Sequence, residues 1–170
     1  MSQPKLTVTS DFTEKFNETI KRFKSDAVLV GIPSDDNERE DEEGSFGNAA
    51  ILALNHFGSE DGHIPPRPVL TIGIRKAQAD IAEQFKKCAQ NVLSKGMDAL
   101  TTYYERAGII AANSVKKVIN DQTDIKKPAD STLAARKYLT ASGFKGTKAL
   151  VVTGQMRNHI TSVVKSLWGR

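Results

Sequence analysis

The sequence predicts an α+β fold, with a small, mainly antiparallel sheet packed against two long helices and several shorter ones. Long stretches repeat apolar residues every three or four positions, as amphipathic helices do. Three short apolar runs rich in β-branched residues predict strands. The length of 170 residues, with 39% hydrophobic and 26% charged, suits a single domain over residues 1–170 with one core.

The N-terminal third predicts a helix, a strand and a second helix. Ser10 can cap a helix over residues 11–24, whose apolar face repeats at helical spacing: Phe12, Phe16, Ile20 and Phe23. Residues 27–32 form an apolar, β-branched run that predicts a buried strand. Residues 48–57 are mostly apolar and begin with Asn48, which can cap a helix, so a short, largely buried helix ending at Gly58 is expected.

The rest of the chain predicts two long helices followed by shorter elements. Residues 75–95 carry an apolar stripe at helical spacing, and Gly96 interrupts the pattern: the stripe is Ile81, Phe85, Cys88 and Val92. Residues 98–120 form the second long helix, in which a run of small residues allows close helix approach: Ala107, Gly108, Ala111 and Ala112. A helix over residues 130–141 and strands over residues 149–152 and 160–164 follow, and Leu167 and Trp168 are expected to pack back on the body.

Charge is distributed unevenly, although the formal net charge is only +4. Residues 34–44 hold seven acids against one base, and the remaining residues have a balance of +10. The acidic residues are Asp35, Asp36, Glu38, Glu40, Asp41, Glu42 and Glu43. Self-repulsion without apolar residues predicts a mobile loop, and its ligand spacing does not fit a calcium-binding loop. The basic body can face an acidic partner or nucleic acid, or be a solvated face.

Candidate catalytic, cofactor and metal residues are not found in the sequence. The three histidines lack metal-ligand spacing: His56, His63 and His159. Cys88 lies on the apolar stripe of its helix and is expected to be inert. We therefore predict a protein that is not an enzyme and has no cofactor. No apolar run is long enough for a membrane span, and residues 1–5 lack the layout of a signal peptide. The single cysteine excludes an internal disulfide framework, so synthesis in a reducing cytosol is expected.

Two separated segments instead predict rigid backbone corners. Pro65, Pro66 and Pro68 force extended geometry on the residues before them, and Arg67 stands between them. Arg67 can donate two hydrogen bonds, either to this chain's own turn or to a neighbouring subunit. In the second segment, Gly154 supplies a left-handed or close-approach backbone position, and it is followed by two further candidate residues, Gln155 and Arg157.

These segments, in this order, resemble the virion-morphogenesis and tail-completion proteins of tailed bacteriophages. The resemblance covers residues 48–164 and is carried by the helix and turn at 48–58, the corner Ile64-Pro65-Pro66-Arg67-Pro68-Val69-Leu70, residues 131–137, and Ala149-Leu150-Val151-Val152-Thr153-Gly154 with the residues up to Ile160. Three positions depart from the family pattern, in which Phe, Pro and Asp are usual: Val69, Ala149 and Val152.

The resemblance implies a structural protein of the virion neck, made in the host cytoplasm. It would form a homo-oligomeric ring of six or twelve copies between the head-closure or portal side and the tail-terminator or tube proteins. Phage DNA would pass through the lumen without sequence-specific contacts. In such a ring, the acidic residues 34–44 face either the lumen or a basic partner. The alternative from composition alone is a basic accessory protein that binds nucleic acid.

Overall fold

The computed structural model of the protein describes residues 12–33, 47–122, 124–139, 148–150 and 154–167. Within these ranges the chain forms seven helices and two strands, in the order α1 (Phe12–Ser25), β1 (Asp26–Gly31), α2 (Asn48–Phe57), α3 (Val69–Lys76), α4 (Gln78–Lys95), α5 (Met97–Asp121), α6 (Asp130–Leu139), α7 (Gln155–Asn158) and β2 (Thr161–Ser166). The strands form a small antiparallel sheet against which helices pack, so the predicted α+β class is confirmed.

The sheet joins the two ends of the chain and lies on α5. β1 pairs with β2 from Asp26 opposite Ser166 to Gly31 opposite Thr161. α5 approaches this sheet closely at Gly108, where an added Cβ would lie 2.5 Å from the Ser162 hydroxyl oxygen. The predicted close approach at the small residues of this helix therefore involves a strand as well as helices.

α4 and α5 form an antiparallel hairpin that reverses at Gly96. Gly96 has φ +71° and donates its N–H to Val92 O at 2.9 Å, which ends α4. The two helices bury a cluster of four residues: Cys88, Val92, Leu100 and Tyr104. The predicted stripe of α4 is thus buried in its C-terminal half, whereas Ile81 and Phe85 are half-buried.

A second buried cluster lies at the other half of α5 and collects residues from several elements and the segment before β2. Its members are Leu52, Val69, Val115, Val118, Ile119, Met156 and Ile160. This 25-residue helix contributes to both clusters and contacts α3, α4, α7 and both strands. Its length corresponds to about 37 Å at 1.5 Å per residue.

The sequence did not predict α3. Its residues Val69-Leu-Thr-Ile-Gly-Ile combine β-branched side chains with a glycine, a composition that disfavours helix. Packing reverses this preference, because Val69 is fully buried and Gly73 lies against the backbone of α5. An added Cβ on Gly73 would be 2.6 Å from Val115 Cα, and Ser114 donates its hydroxyl to Gly73 O at 2.8 Å.

Three smaller expectations are corrected. The N-cap of α2 is Gly47, and Asn48 is already helical and buried. Residues 148–150 form a turn with Leu150 at φ +62°, so the strand expected over residues 149–152 is wrong in its described part. Leu167 is 64% exposed and does not pack back on the body. Residues 34–44, 151–153 and Trp168 lie outside the described residues.

Candidate functional site

The corner site begins with a tightly hydrogen-bonded turn after α2. Gly58 has φ +83° and donates its N–H to Leu54 O at 2.8 Å. An added Cβ on Gly58 would lie 2.7 Å from Ile64 O, so both the positive φ and the close approach require glycine. Ser59 closes the turn from both sides, because its N–H donates to Ile64 O at 3.0 Å and its hydroxyl accepts from Ile64 N–H at 2.9 Å.

The tip of this turn carries an exposed acid–histidine pair. Asp61 accepts hydrogen bonds from the Ser59 hydroxyl and from the His63 N–H, the latter at 3.1 Å. These hydrogen bonds, with Ser59 first, hold the pKa of the Asp61 carboxyl below its ordinary value. His63 Nδ1 lies 3.0 Å from Asp61 Oδ2, with both side chains well exposed to solvent. The pair orders the tip of the turn at the surface.

The prolines then turn the chain into α3. Pro68 has φ −76° and ψ 62°, and Val69 donates its N–H to Arg67 O at 2.7 Å, which is the geometry of an inverse γ-turn. Arg67 N–H donates to Asn55 O at 2.7 Å, which joins the corner to α2. The extended stretch predicted from the prolines therefore ends at Pro68, and Val69 and Leu70 belong to a helix.

Arg67 clamps the chain to which it belongs. Its side chain reaches the segment between α5 and α6, where Nε donates to Lys126 O at 2.8 Å and Nη2 donates to Lys127 O at 3.2 Å. Arg67 is only 8% exposed. Of the two roles predicted for this arginine, the geometry places the guanidinium on the chain's own turn, where its fork matches two successive carbonyl groups.

The second predicted corner is the turn at Gly154. Gly154 has φ 80° and ψ −7°, and its carbonyl accepts from Asn158 N–H at 3.0 Å across α7. An added Cβ on Gly154 would meet nothing within 4 Å, so the left-handed conformation, and not close approach, requires glycine. Arg157 follows on the short helix and donates from Nη1 to Asn120 Oδ1 at 2.7 Å. Gln155 is half-buried on the first turn.

Gln122 is a residue of this site that the sequence did not indicate. It follows α5 in a left-handed conformation at φ 57°. Its amide pairs with the backbone of Ala149 as a strand would: Nε2 donates to Ala149 O at 3.0 Å, and Ala149 N–H donates to Oε1 at 2.6 Å. This pairing gives residues 148–150 their fixed place without a strand. The sequence shows only a polar residue where the long helix ends. Its partner, Ala149, is a backbone group far along the chain, which no local pattern indicates.

The two predicted corners line one cavity. It has a volume of about 340 Å³, and the residues around it come from α2, the proline–arginine corner, the segment before α6 and the Gly154 turn. They include Ile51, Asn55, Pro65, Arg67, Pro128, Ala129, Leu150, Gly154 and Met156. We call these residues, with Arg157 and Gln122 behind them, the corner site. Pro66, which is exposed, and Pro68 flank the cavity without lining it.

The other candidate residues lie apart from the corner site. Cys88 is fully buried on α4, and burial raises the pKa of its thiol. His56 contacts Thr71 Oγ1 through Nε2 at 3.4 Å, and its ring meets the Phe57 ring edge-on at 4.8 Å. In the described ranges, no three His, Cys, Asp or Glu side chains are grouped so that they would hold a metal ion. Nor does any helix in the described ranges have the length and apolar character that crossing a membrane requires.

The corner site is therefore a cavity whose surrounding backbone is held in place by hydrogen bonds from side chains. Its arginine and glutamine side chains are engaged with groups of the same chain, most of them backbone carbonyls and amides. The acidic residues predicted to face a lumen or a partner fall outside the described residues. Comparisons with protein-family models, with curated proteins and with solved structures found no match to this chain.

Proposed function

We propose that this protein is a structural component of the neck of a tailed-bacteriophage virion, where it joins the head to the tail. Copies of the chain would form a ring, of six or twelve by analogy, around the channel through which DNA passes. Its neighbours would be the head-closure or portal protein on one side and the tail-terminator or tube protein on the other. The proposal rests on the family resemblance of residues 48–164.

One structural observation supports this proposal beyond the sequence. The two corner segments, which end at Leu70 and begin at Ala149, are separated by 78 residues, yet they line the same cavity. Arg157 holds Asn120 at the end of α5, and Arg67 holds the segment that follows this helix. An assembled part needs surfaces of fixed shape, because ordering a flexible surface on binding costs free energy.

The test is electron microscopy of lysates from a phage or prophage in which this gene carries an early stop codon. We expect separate DNA-filled heads and finished tails, because each assembles without the joint. Supplying the intact gene from a plasmid is the control and should restore joined, infectious particles. Intact infectious particles without complementation would contradict the proposal.

A variant test asks whether the exposed side of the corner takes part in joining. Arg67→Ala does not separate folding from joining, because Arg67 is buried in its own chain. Pro66→Asp instead places a charge at an exposed position of the corner. We expect this variant to lower the infectious titre in complementation. The matched change Ala89→Asp, at an exposed position of α4, should not lower it. Equal titres from the two variants, at equal stability, would remove the corner from the joint.

Nucleic-acid binding is the second candidate, and a cluster of exposed lysines favours it. Lys117 on the last turns of α5, Lys126 and Lys127 after it, and Lys148 are all exposed, and Lys148 donates from Nζ to Asn120 O at 2.7 Å. The acids Asp121 and Asp124 are exposed in the same stretch. Such a group of lysines attracts phosphates without reading sequence. This hypothesis predicts gel retardation of duplex DNA that weakens steeply with salt.

The lysine cluster has a matched test. Lys126→Ala with Lys127→Ala should reduce the slope of log affinity against log salt by about 0.9 for each phosphate that is no longer neutralised. The control pair Lys86→Ala with Lys95→Ala removes two exposed charges from α4 and should leave the slope unchanged. Absence of retardation at low salt would remove the hypothesis.

A further inference from the structure

α2 is apolar on both sides, but only one side is buried. Asn48 and Leu52 face the core at 1% and 4% exposure. The opposite side is exposed along the helix, with Leu54 at 41% and Phe57 at 78%. A helix that is hydrophobic all round is ordinarily covered on all sides. This exposed side of α2 therefore has the character of a surface that a partner covers.

The exposed side continues onto α3. The His56 ring contacts Phe57, and His56 shares a shallow depression with Ile74 and Arg75 of α3. Ile74 is itself 39% exposed. We call Leu54, Phe57 and Ile74 the α2 knob. By the usual areas of such side chains, the three together expose about 300 Å² of surface, at the lower end of the range for the largest apolar patch of a monomer.

A second exposed apolar surface is concave. A groove of about 790 Å³ runs between α1, α5 and the two strands. Ile109 of α5, 56% exposed, and Val163 of β2, 37% exposed, give it an apolar lining together with Val164. We call it the sheet groove. It shares no residue with the α2 knob or with the depression beside that knob.

Each of the two surfaces carries one charged side chain without a partner, and these two charges are opposite in sign. Arg75 beside the knob and Glu105 in the groove are exposed, and neither side chain makes a hydrogen bond or ion pair within the described part of the chain. The other anion of the groove, Asp26, is paired with Arg22 at 3.2 Å. Lys21 lies on the α1 side of the groove, so a cation entering from the knob is attracted to the α5 side.

We propose that the sheet groove of one copy of this protein receives the α2 knob of a second copy. Phe57 enters the groove against Ile109 and Val163, and Arg75 pairs with Glu105. Because the knob and the groove are different surfaces, the contact is heterologous and leaves one of each free on every pair. Assembly therefore continues head to tail. This inference names a contact between copies within the proposed function. That the copies close into a ring rests on the proposed function itself.

The first experiment measures self-association of the purified full chain by sedimentation velocity and native mass spectrometry. We expect concentration-dependent oligomers that Phe57→Ala weakens about 30-fold, as truncation of a central aromatic side chain does. Arg75→Glu and Glu105→Arg should each weaken association, and the two together should restore it. The control Lys86→Glu makes the same charge change at an exposed position of α4 and should have no effect. A wild-type chain that stays monomeric, or oligomers indifferent to Phe57→Ala, would overturn the inference.

A disulfide test identifies the contact directly. Copies carrying Phe57→Cys are mixed with copies carrying Ile109→Cys, and a cross-linked heterodimer is expected under mild oxidation. Cys88 is fully buried and stays unreactive. Phe57→Cys mixed with Gln90→Cys on exposed α4 is the control and should not cross-link. Equal cross-linking in both mixtures would reject the contact. These results are independent of the stop-codon lysate, so failure of this contact and failure of the neck function are distinguishable.

Discussion

The corner site and the α4–α5 hairpin with its sheet are held together by different forces. In the corner site, a few polar side chains grip distant backbone groups: Arg67 holds Lys126 O and Lys127 O, and Gln122 holds Ala149. In the hairpin, small and apolar residues meet at close distance, as Gly108 does with Ser162. Hydrogen bonds are directional and few, whereas packing is spread over many atoms. The corner should therefore fail through lost donors and the packed body through changes of volume.

The largest effect is expected where α3 crosses α5. Gly73→Val places side-chain atoms within the space of Val115 backbone, where even a Cβ would lie 2.6 Å from Val115 Cα. We expect a loss of about 3 kcal/mol or more in the free energy of unfolding, because backbone on both sides limits relaxation. Urea unfolding followed by circular dichroism measures it. In the control Gly31→Val, the added Cβ meets nothing within 4 Å, so stability should change little. Similar stability of the two variants would contradict the close packing.

The next largest effect tests the grip of the corner site. Arg67→Met keeps the apolar stem but removes both donors to Lys126 O and Lys127 O. We expect a loss of about 2–4 kcal/mol, because hydrogen bonds from a charged group contribute more than neutral ones and the carbonyls are left without these donors. Arg67→Lys should not restore stability, since a single ammonium cannot match the fork. Lys86→Met, which also removes a cation at an exposed position, is the control. If Arg67→Met were as stable as that control, the hydrogen bonds of Arg67 would not be what stabilises the corner site.

A smaller, pH-dependent effect probes a hydrogen bond within the packed body. Tyr104 is buried between Phe23 and Phe85 and donates its hydroxyl to Phe23 O at 2.9 Å, an acceptor in the last turn of α1. Burial, with smaller effects of Cys88 and Asp26, raises the pKa of Tyr104 from 10.0 to about 12. The unfolded chain therefore ionises first. The stability that this tyrosine contributes is full below pH 10.0 and is lost as the pH rises toward about 12.

The matching variant is Tyr104→Phe. At neutral pH it should cost about 1 kcal/mol, the usual net contribution of one hydrogen bond. Between pH 10.0 and about 12, the stability of this variant should fall less steeply with pH than that of the wild type, because phenylalanine has no hydroxyl whose pKa the fold can raise. Urea unfolding across this pH range gives both results. Parallel pH profiles would show that Tyr104 does not carry the dependence.

The smallest effect separates backbone conformation from packing within the corner site. Gly154→Ala adds a Cβ that meets nothing within 4 Å, so its whole cost comes from φ 80°. We expect a loss of about 1 kcal/mol. Gly154→Asn should cost less, because Asn adopts left-handed conformations more readily. Equal losses for Ala and Asn, measured by thermal unfolding, would indicate that φ is not the cause.

Much of the fold was predictable because its information is local. The spacing of apolar residues located α1, α2, α4 and α5, and Gly58 and Gly96 marked helix ends. α3 was not predictable, since its own residues disfavour helix and burial of Val69 decides its structure. Prolines and Gly154 identified both corners of the site. Their partners escaped prediction because Lys126 O, Lys127 O and Ala149 are backbone groups, which any residue would supply.

The sequence by itself determined the α+β class and most element positions, and it located the two segments on which the proposed relation to phage neck proteins rests. Periodicity, β-branching and proline act within a few residues, so their effects can be predicted from the sequence without knowledge of the fold. Only the tertiary structure decided that the two corners line one cavity and that Arg67 turns inward. Only the tertiary structure left the α2 knob exposed and made the sheet groove a separate surface. These outcomes depend on which surfaces α5 brings together, and contacts between residues far apart in the chain leave no local pattern.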